Sequence, residues 1–303
     1  MTLLVTGWVA LDDIETPFES RKRVLGGSAA AAALAGQLFT DTRLVAAVGE
    51  DFPEEYTAQL AESGVDIGGL VTVPGETSKW GGKYHYDMNT RDTAYTVLGV
   101  NETWQPVLPK GWEHSQTAFL AADDPVIQRK VIGKLHNPLA TMVDTIRLYM
   151  DRDGPELATT FAAATFVCLN DGEAREIAGT ASVAAAARTL VARGTQGAVV
   201  KLGEYGALFV SKRDYFAAAG YPLEIVRDPT GAGDAFAGAF MGFVDSQGDI
   251  NPTTLRQATV YGCTVASFQV EGFGPERLLS LTRDEVESRY REMRALTIFE
   301  AGE

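Results

Sequence analysis

The residues best equipped for chemistry lie in one run, Asp228-Pro229-Thr230-Gly231-Ala232-Gly233-Asp234, which leads into a small-residue apolar stretch ending near Val244. Pro229, Gly231 and Gly233 punctuate a sharp turn, and a helix-period pattern begins at Asp234. A helix that starts this way leaves the N–H groups of Gly231, Ala232 and Gly233 unpaired at its positive end, where an anion is welcome. Glycines there let a phosphate come close to the backbone. A carboxylate inside the same mouth is repelled by a resting anion, so Asp234 needs another task. Its place suits taking a proton from a hydroxyl that attacks phosphorus while the amides hold the transferring group. A plain helix start, with Asp234 only complementing the dipole, accounts for the same residues without chemistry.

Other segments offer partners for that chemistry. Asn170 and Glu173 stand three apart at the end of an apolar run, Phe166 to Leu169. An amide and a carboxylate so spaced can hold Mg²⁺ through its retained waters, and they also make an ordinary capping box. Lys201-Leu202-Gly203-Glu204-Tyr205-Gly206 follows a strand-like run from Ala198, and its glycines also suit a turn between two strands. Near the start, the short strand Leu3 to Gly7 precedes Asp12 and Asp13. Gly26 and Gly27 then introduce an alanine-rich helix from Ser28, a suitable N-cap, to about Phe39. One carboxylate such as Asp12 can accept from two neighbouring hydroxyls, and it serves equally well as a turn acid. Trp80 to Thr93 is polar yet aromatic. Strand alternation would put Lys83, His85 and Asp87 on one face and Tyr84, Tyr86 and Met88 on the other. A solvated sheet face explains that pattern too, and a metal held by His85 and Asp87 lacks a third ligand.

The elements that must position these residues follow from periodicity. Strands at Ala118–Ala121, Leu139–Val143, Phe166–Leu169 and Ala198–Lys201 alternate with helices at Pro125–Leu135, Pro155–Ala164 and Ser182–Gly194. Earlier, the strand Arg43–Val48 precedes a helix that begins at Pro53 and runs to about Ser63. Later come a helix of small and apolar residues from Pro252 to Val270 and a charged one from Arg283 to Arg294. Such alternation predicts a parallel sheet covered on both faces, with ligands beyond the carboxyl ends of its strands. Asp123, Asp124, Asp144 and Asn170 all begin loops there, where Mg-nucleotide needs acids and amides.

Composition sets the outer limits. The chain has 303 residues, 46% of them apolar, enough for one large α/β domain, and no linker or repeat divides it. A net charge of −14 argues against nucleic acid or an anionic membrane as partner. The two cysteines, Cys168 and Cys263, stand far apart in apolar settings, which fits a reducing cytoplasm. No basic leader and no membrane-length apolar window occurs. A Walker-type phosphate loop is missing, and Gly7 to Asp13 does not supply the dinucleotide-binding glycine pattern.

The stretch Asp228 to Phe240, together with Asn170-x-x-Glu173, Lys201-x-Gly203-x-x-Gly206 and the Gly26-Gly27 pair, closely resembles the ribokinase-like (PfkB) sugar kinases. That resemblance implies a three-layer α/β/α sandwich with a mostly parallel sheet. A small β-strand lid would be built from segments near 13–25 and 72–100, and would be able to pair two subunits. It implies ATP-dependent phosphorylation of an alcohol, with Asp234 as base and Gly231, Ala232 and Gly233 as anion hole. It further implies Asn170 and Glu173 on Mg²⁺; Asn170, Lys201, Gly203, Thr230, Gly231 and Gly233 along ATP; and a monovalent cation such as K⁺ near Asp228 and Thr230. Asp12, Gly26, Gly27 and Ser28 would hold substrate hydroxyls, with His85, Asp87, Asn89 and Arg91 reaching substrate from the lid. Ala10 and Ala31 stand where many relatives carry asparagine, so ordinary ribose recognition does not follow. A nucleoside kinase of the same fold and a non-catalytic sugar or nucleotide sensor are the alternatives, and the complete Asp234 motif speaks against a sensor.

Overall fold

In the computed structural model, residues 1–298 are described. The chain begins with β1 (Thr2–Thr6), β2 (Ala10–Glu15), β3 (Ser20–Gly26), α1 (Ser28–Gln37), β4 (Asp41–Val48), α2 (Glu54–Glu62) and β5 (Asp66–Thr72). The hairpin β6 (Ser78–Tyr84) and β7 (Arg91–Val97) follows, then β8 (Thr117–Leu120), α3 (Pro125–Ile132), β9 (Ala140–Val143), α4 (Arg147–Arg152) and α5 (Gly154–Ala163). Next come β10 (Phe166–Asn170), α6 (Asp171–Ala178), α7 (Val183–Ala192), β11 (Gly197–Lys201), β12 (Ala207–Ser211) and β13 (Tyr215–Ala218). Four helices close the described part of the chain: α8 (Ala232–Gln247), α9 (Pro252–Gln269), α10 (Glu276–Ser280) and α11 (Arg283–Thr297).

The large sheet has nine strands in the order β13-β12-β11-β10-β9-β8-β1-β4-β5. It is parallel from β11 to β5 and antiparallel only where β12 and β13 fold back at one edge. Its central strands are buried on both faces, as their continuous apolar runs require. One face packs on α1, α8 and α9, the other on α3, α5, α6 and α7. The α1–α8 contact explains the alanines and glycines of both helices. A Cβ on Gly238 would lie 2.1 Å from the Ala32 carbonyl oxygen, so only hydrogen fits at that crossing. Close seating of α8 fixes where its N-terminus opens.

Four strands make the second sheet, β3-β2-β6-β7, with β2 and β6 parallel and the other pairs antiparallel. It stands over the carboxyl ends of the central strands. Among the described residues no helix is long and apolar enough to cross a membrane.

Two local expectations are corrected. Ser28 is the first helical residue, with Gly27 as N-cap at φ 88°, and the Ser28 hydroxyl is buried without a partner. The strand alternation expected through Met88 stops at Tyr84. From there Asp87 draws the N–H groups of Asn89 and Thr90 and the Thr90 hydroxyl into a turn, which overrides the periodic pattern. His85 and Asp87 therefore do not share a strand face.

Candidate active site

The turn ahead of α8 is held open by one residue's conformation. Gly231 has φ 77°, a left-handed angle that costs a side-chain-bearing residue strain. The Ala232 N–H turns back to the Pro229 carbonyl at 3.2 Å, and among the described residues those of Gly231 and Gly233 make no such backbone bond. Behind the turn, the buried Asp228 carboxylate accepts from the N–H of Thr230 at 2.8 Å and of Gly274 at 2.9 Å. In front of it, Lys201 lies across Gly233: a Cβ there would come within 2.9 Å of the ammonium nitrogen. Lys201 reaches this position from the end of β11, steered by a 2.7 Å ion pair with Asp144 at the end of β9.

Asp234 sits partly open in the mouth. Crowding by protein strips water from its carboxylate and pushes its pKa up to about 7. Lys201 and Arg91 pull the other way, and Asp144 pushes further up. Glu173 is driven up to about 7 by the same loss of water and by Asp144, against Lys201 and the Asn170 N–H. Burial works against the charge on Lys201, but Asp144, with Asp234 and Glu173 nearby, holds its pKa well above the ordinary value. Three carboxylates thus surround one ammonium, leaving a negative excess that a divalent cation would balance.

Asn170 and Glu173 form a complete capping box: Asn170 Oδ1 accepts from the Glu173 N–H at 2.8 Å, and Glu173 Oε2 accepts from the Asn170 N–H at 2.9 Å. The capping explanation of this motif is therefore realised, with Glu173 Oε1 left over. Among the described residues no three His, Cys, Asp or Glu side chains converge to cage a metal directly. That arrangement fits Mg²⁺ carried on phosphates with most of its water kept, as this ion prefers, and does not fit a dedicated protein cage.

Asp12 lies in the same cleft. Burial pushes it up to about 7; the Gly27 N–H lowers it, while Asp228, Asp234 and Asp13 raise it. Its Oδ2 accepts from the Gly27 N–H at 3.4 Å and Oδ1 has no partner. Gly26 is required here, since a Cβ would fall 2.1 Å from Asp12 Oδ2. The strand order brings Lys201, Asn170 and Asp144 together at the ends of the adjacent strands β11, β10 and β9, while Asp12 comes from β2 of the second sheet.

Asp123 and Asp124 do not join the Lys201 side. Asp124 caps α3 and pairs with Arg152 at 2.8 Å. Asp123, three residues past β8, accepts from the Asp124 N–H at 2.7 Å; burial pushes its pKa up to about 6, against that N–H and the nearby Trp8 indole. Tyr149 meets the Trp8 ring edge-on, centroids 6.2 Å apart. Trp8 and Tyr149 were invisible as site residues because a lone aromatic carries no spacing signal.

The lid contributes two of its four expected residues. Asn89 rests on the loop after β11: a Cβ on Gly203 would come within 2.5 Å of its Oδ1. Arg91 crosses the Trp80 ring at 5.7 Å and its charge acts on Asp234, Glu173 and Tyr84. His85 pairs instead with Asp92 at 2.9 Å, where both are largely exposed. Asp87 is spent on the turn. Tyr84, by contrast, was not expected: it is buried, and the Thr230 hydroxyl donates to its Oη at 3.1 Å, tying the lid to the helix mouth. Tyr84→Phe is expected to cut kcat about fivefold and move stability by about 1 kcal/mol, the worth of one hydrogen bond. Steady-state kinetics and denaturant unfolding would check both.

Residues 11–280 match the pfkB family of carbohydrate kinases, and the chain belongs to that family. It is 33% identical over 251 residues to the cytidine kinase of Thermococcus kodakarensis, covering 80% of this chain and 87% of that one. The nucleoside kinase of Methanocaldococcus jannaschii, an archaeal member of the ribokinase family, superposes with TM-score 0.77 at 21% identity, over 96% of this chain and 98% of that one. The fructokinase of Vibrio cholerae O395, solved with fructose, ADP and a calcium ion, gives TM-score 0.79 at 19% identity over 95% and 98%. The protein is thus a phosphotransferase with the ribokinase fold.

Proposed function

We propose that this chain transfers the terminal phosphoryl group of ATP to a hydroxyl of a sugar or sugar-bearing small molecule. One observation carries the reading: Asp234 stands in the helix mouth close enough to feel both an ammonium, Lys201, and a buried acid, Asp12. Asp12 and the Gly26–Gly27 backbone would hold acceptor hydroxyls. Asp234 would take the proton of the attacking one, and the Gly231, Ala232 and Gly233 amides with Lys201 would stabilise charge on the equatorial oxygens. Asn170 and Glu173 would hold Mg²⁺ through its waters, and the ion would supply positive charge to offset that of the phosphates. Arg91 and Asn89, brought down by the lid, would exclude water from the reacting atoms.

Within this reading the acceptor is better taken as a nucleoside than a free sugar. Trp8 and Tyr149 pair edge-on close to the acid Asp123, and rings beside an acceptor are what a base would pack on and pair with. The cytidine kinase relative, matched over most of its length, supports the same choice.

A panel of nucleosides, free sugars and sugar phosphates at saturating Mg-ATP tests both steps. Turnover of none, with binding intact, would mean a sensor; turnover of free sugars alone would remove the nucleoside. The pH profile is a second test. Asp234 must be ionised to act and its pKa is raised to about 7, so kcat/KM is expected to fall roughly tenfold per unit below about pH 7. A profile flat from pH 5 to 8 would take the base role from Asp234.

A further inference from the structure

Two buried side chains fasten the turn at the helix mouth to the loop that follows α9. Asp228 gathers two N–H groups, those of Thr230 and Gly274. Gln269, the last residue of α9 and 1% exposed, gathers two carbonyls. Its Nε2 donates to the Thr230 oxygen at 2.9 Å and to the Gly274 oxygen at 2.7 Å. The orientation of this amide is dictated by its neighbours, because reversing it would press Oε1 against two carbonyl oxygens. The same Nε2 backs Gly231, where a Cβ would come within 3.3 Å of it.

A cation bound between these loops needs oxygens with lone pairs to spare. Here both Asp228 oxygens face N–H donors and the Thr230 hydroxyl is turned to Tyr84. The Gln269 Nε2, 2.9 and 2.7 Å from the Thr230 and Gly274 carbonyl oxygens, already stands at the point between them that a cation would have to occupy. The residues do not fit the monovalent cation that the sequence resemblance implies near Asp228 and Thr230. An amide NH₂ presents two partial positive charges to two carbonyls, which is what a cation would otherwise do at that point.

We propose that Gln269 is a positioning residue that takes the place of a monovalent cation, fixing the anion-hole turn so that turnover does not depend on K⁺. The proposal rests on the kinase reading above. Wild-type kcat is expected to agree within about twofold in KCl, NH₄Cl, NaCl and choline chloride at equal ionic strength, and its melting temperature within about 1 °C, since no site is there to fill.

Gln269→Ala opens space beside two unpaired carbonyls. It is expected to lower kcat about 10- to 100-fold, as loss of a supporting residue does, with the acceptor KM little changed. K⁺ or NH₄⁺ should then restore part of kcat and raise the melting temperature of that variant. Gln269→Leu, which refills the space without a donor, should lose kcat and gain nothing from either salt.

Severalfold activation or thermal stabilisation of the wild type by K⁺ would overturn the proposal, as would wild-type kcat in Gln269→Ala or a loss that no cation relieves. A wild type inactive on every acceptor would strike the kinase reading instead, and the melting temperatures would still decide this one.

Discussion

Replacing Asp234 by Asn is expected to lower kcat about 10³-fold, within the range for a general base, while the dissociation constant for Mg-ATP changes by less than about threefold. The amide keeps the shape and hydrogen-bonding reach of the carboxylate but cannot accept the hydroxyl proton. The helix mouth is built by Gly231, Asp228 and Gln269, so its geometry survives the change. The variant should even be slightly more stable than the wild type. A carboxylate whose pKa is raised on folding to about 7 opposes the folded state at any pH above its unfolded value, and that cost grows until pH passes the folded one. Removing the titration removes the cost. Turnover within tenfold of wild type would show that another group takes the proton.

Replacing Lys201 by Met is expected to cost stability and rate together. The Asp144 carboxylate, 6% exposed, would be left with the Thr145 N–H and no cation. Stripping one partner from such a pair typically costs about 3–5 kcal/mol. The ammonium over Gly233 also disappears from the place where phosphoryl charge would develop, for which a loss of about 10²- to 10³-fold in kcat is expected. The two effects separate in Lys201→Met with Asp144→Asn. Removing both charges should return most of the stability measured by denaturant unfolding and none of the rate. Recovery of rate in the double variant would reduce Lys201 to a structural partner of Asp144.

The helix mouth was legible because its signal is local. Two glycines, a proline and an acid within seven residues dictate a turn, a left-handed residue and a helix start whatever surrounds them. The parallel sheet was legible for a similar reason, since strand and helix periods alternate over tens of residues. The lid was misread where a local rule competed with a periodic one: the side chain of Asp87 closes a turn that strand alternation alone would have run through.

By itself, then, the sequence determined the elements, their order, the anion-binding turn and the acid within it, because each depends on neighbours a few bonds away. Only the tertiary structure decided which side chains stand around that turn. Lys201 and Asp144 meet because β11 and β9 end at the same edge, and Trp8 meets Asp123 because β1 and β8 are neighbours. Gln269 reaches Thr230 from 39 positions away along the chain. No spacing rule carries such contacts, since they are set by how helices and strands pack and by the need to satisfy every polar group that packing buries.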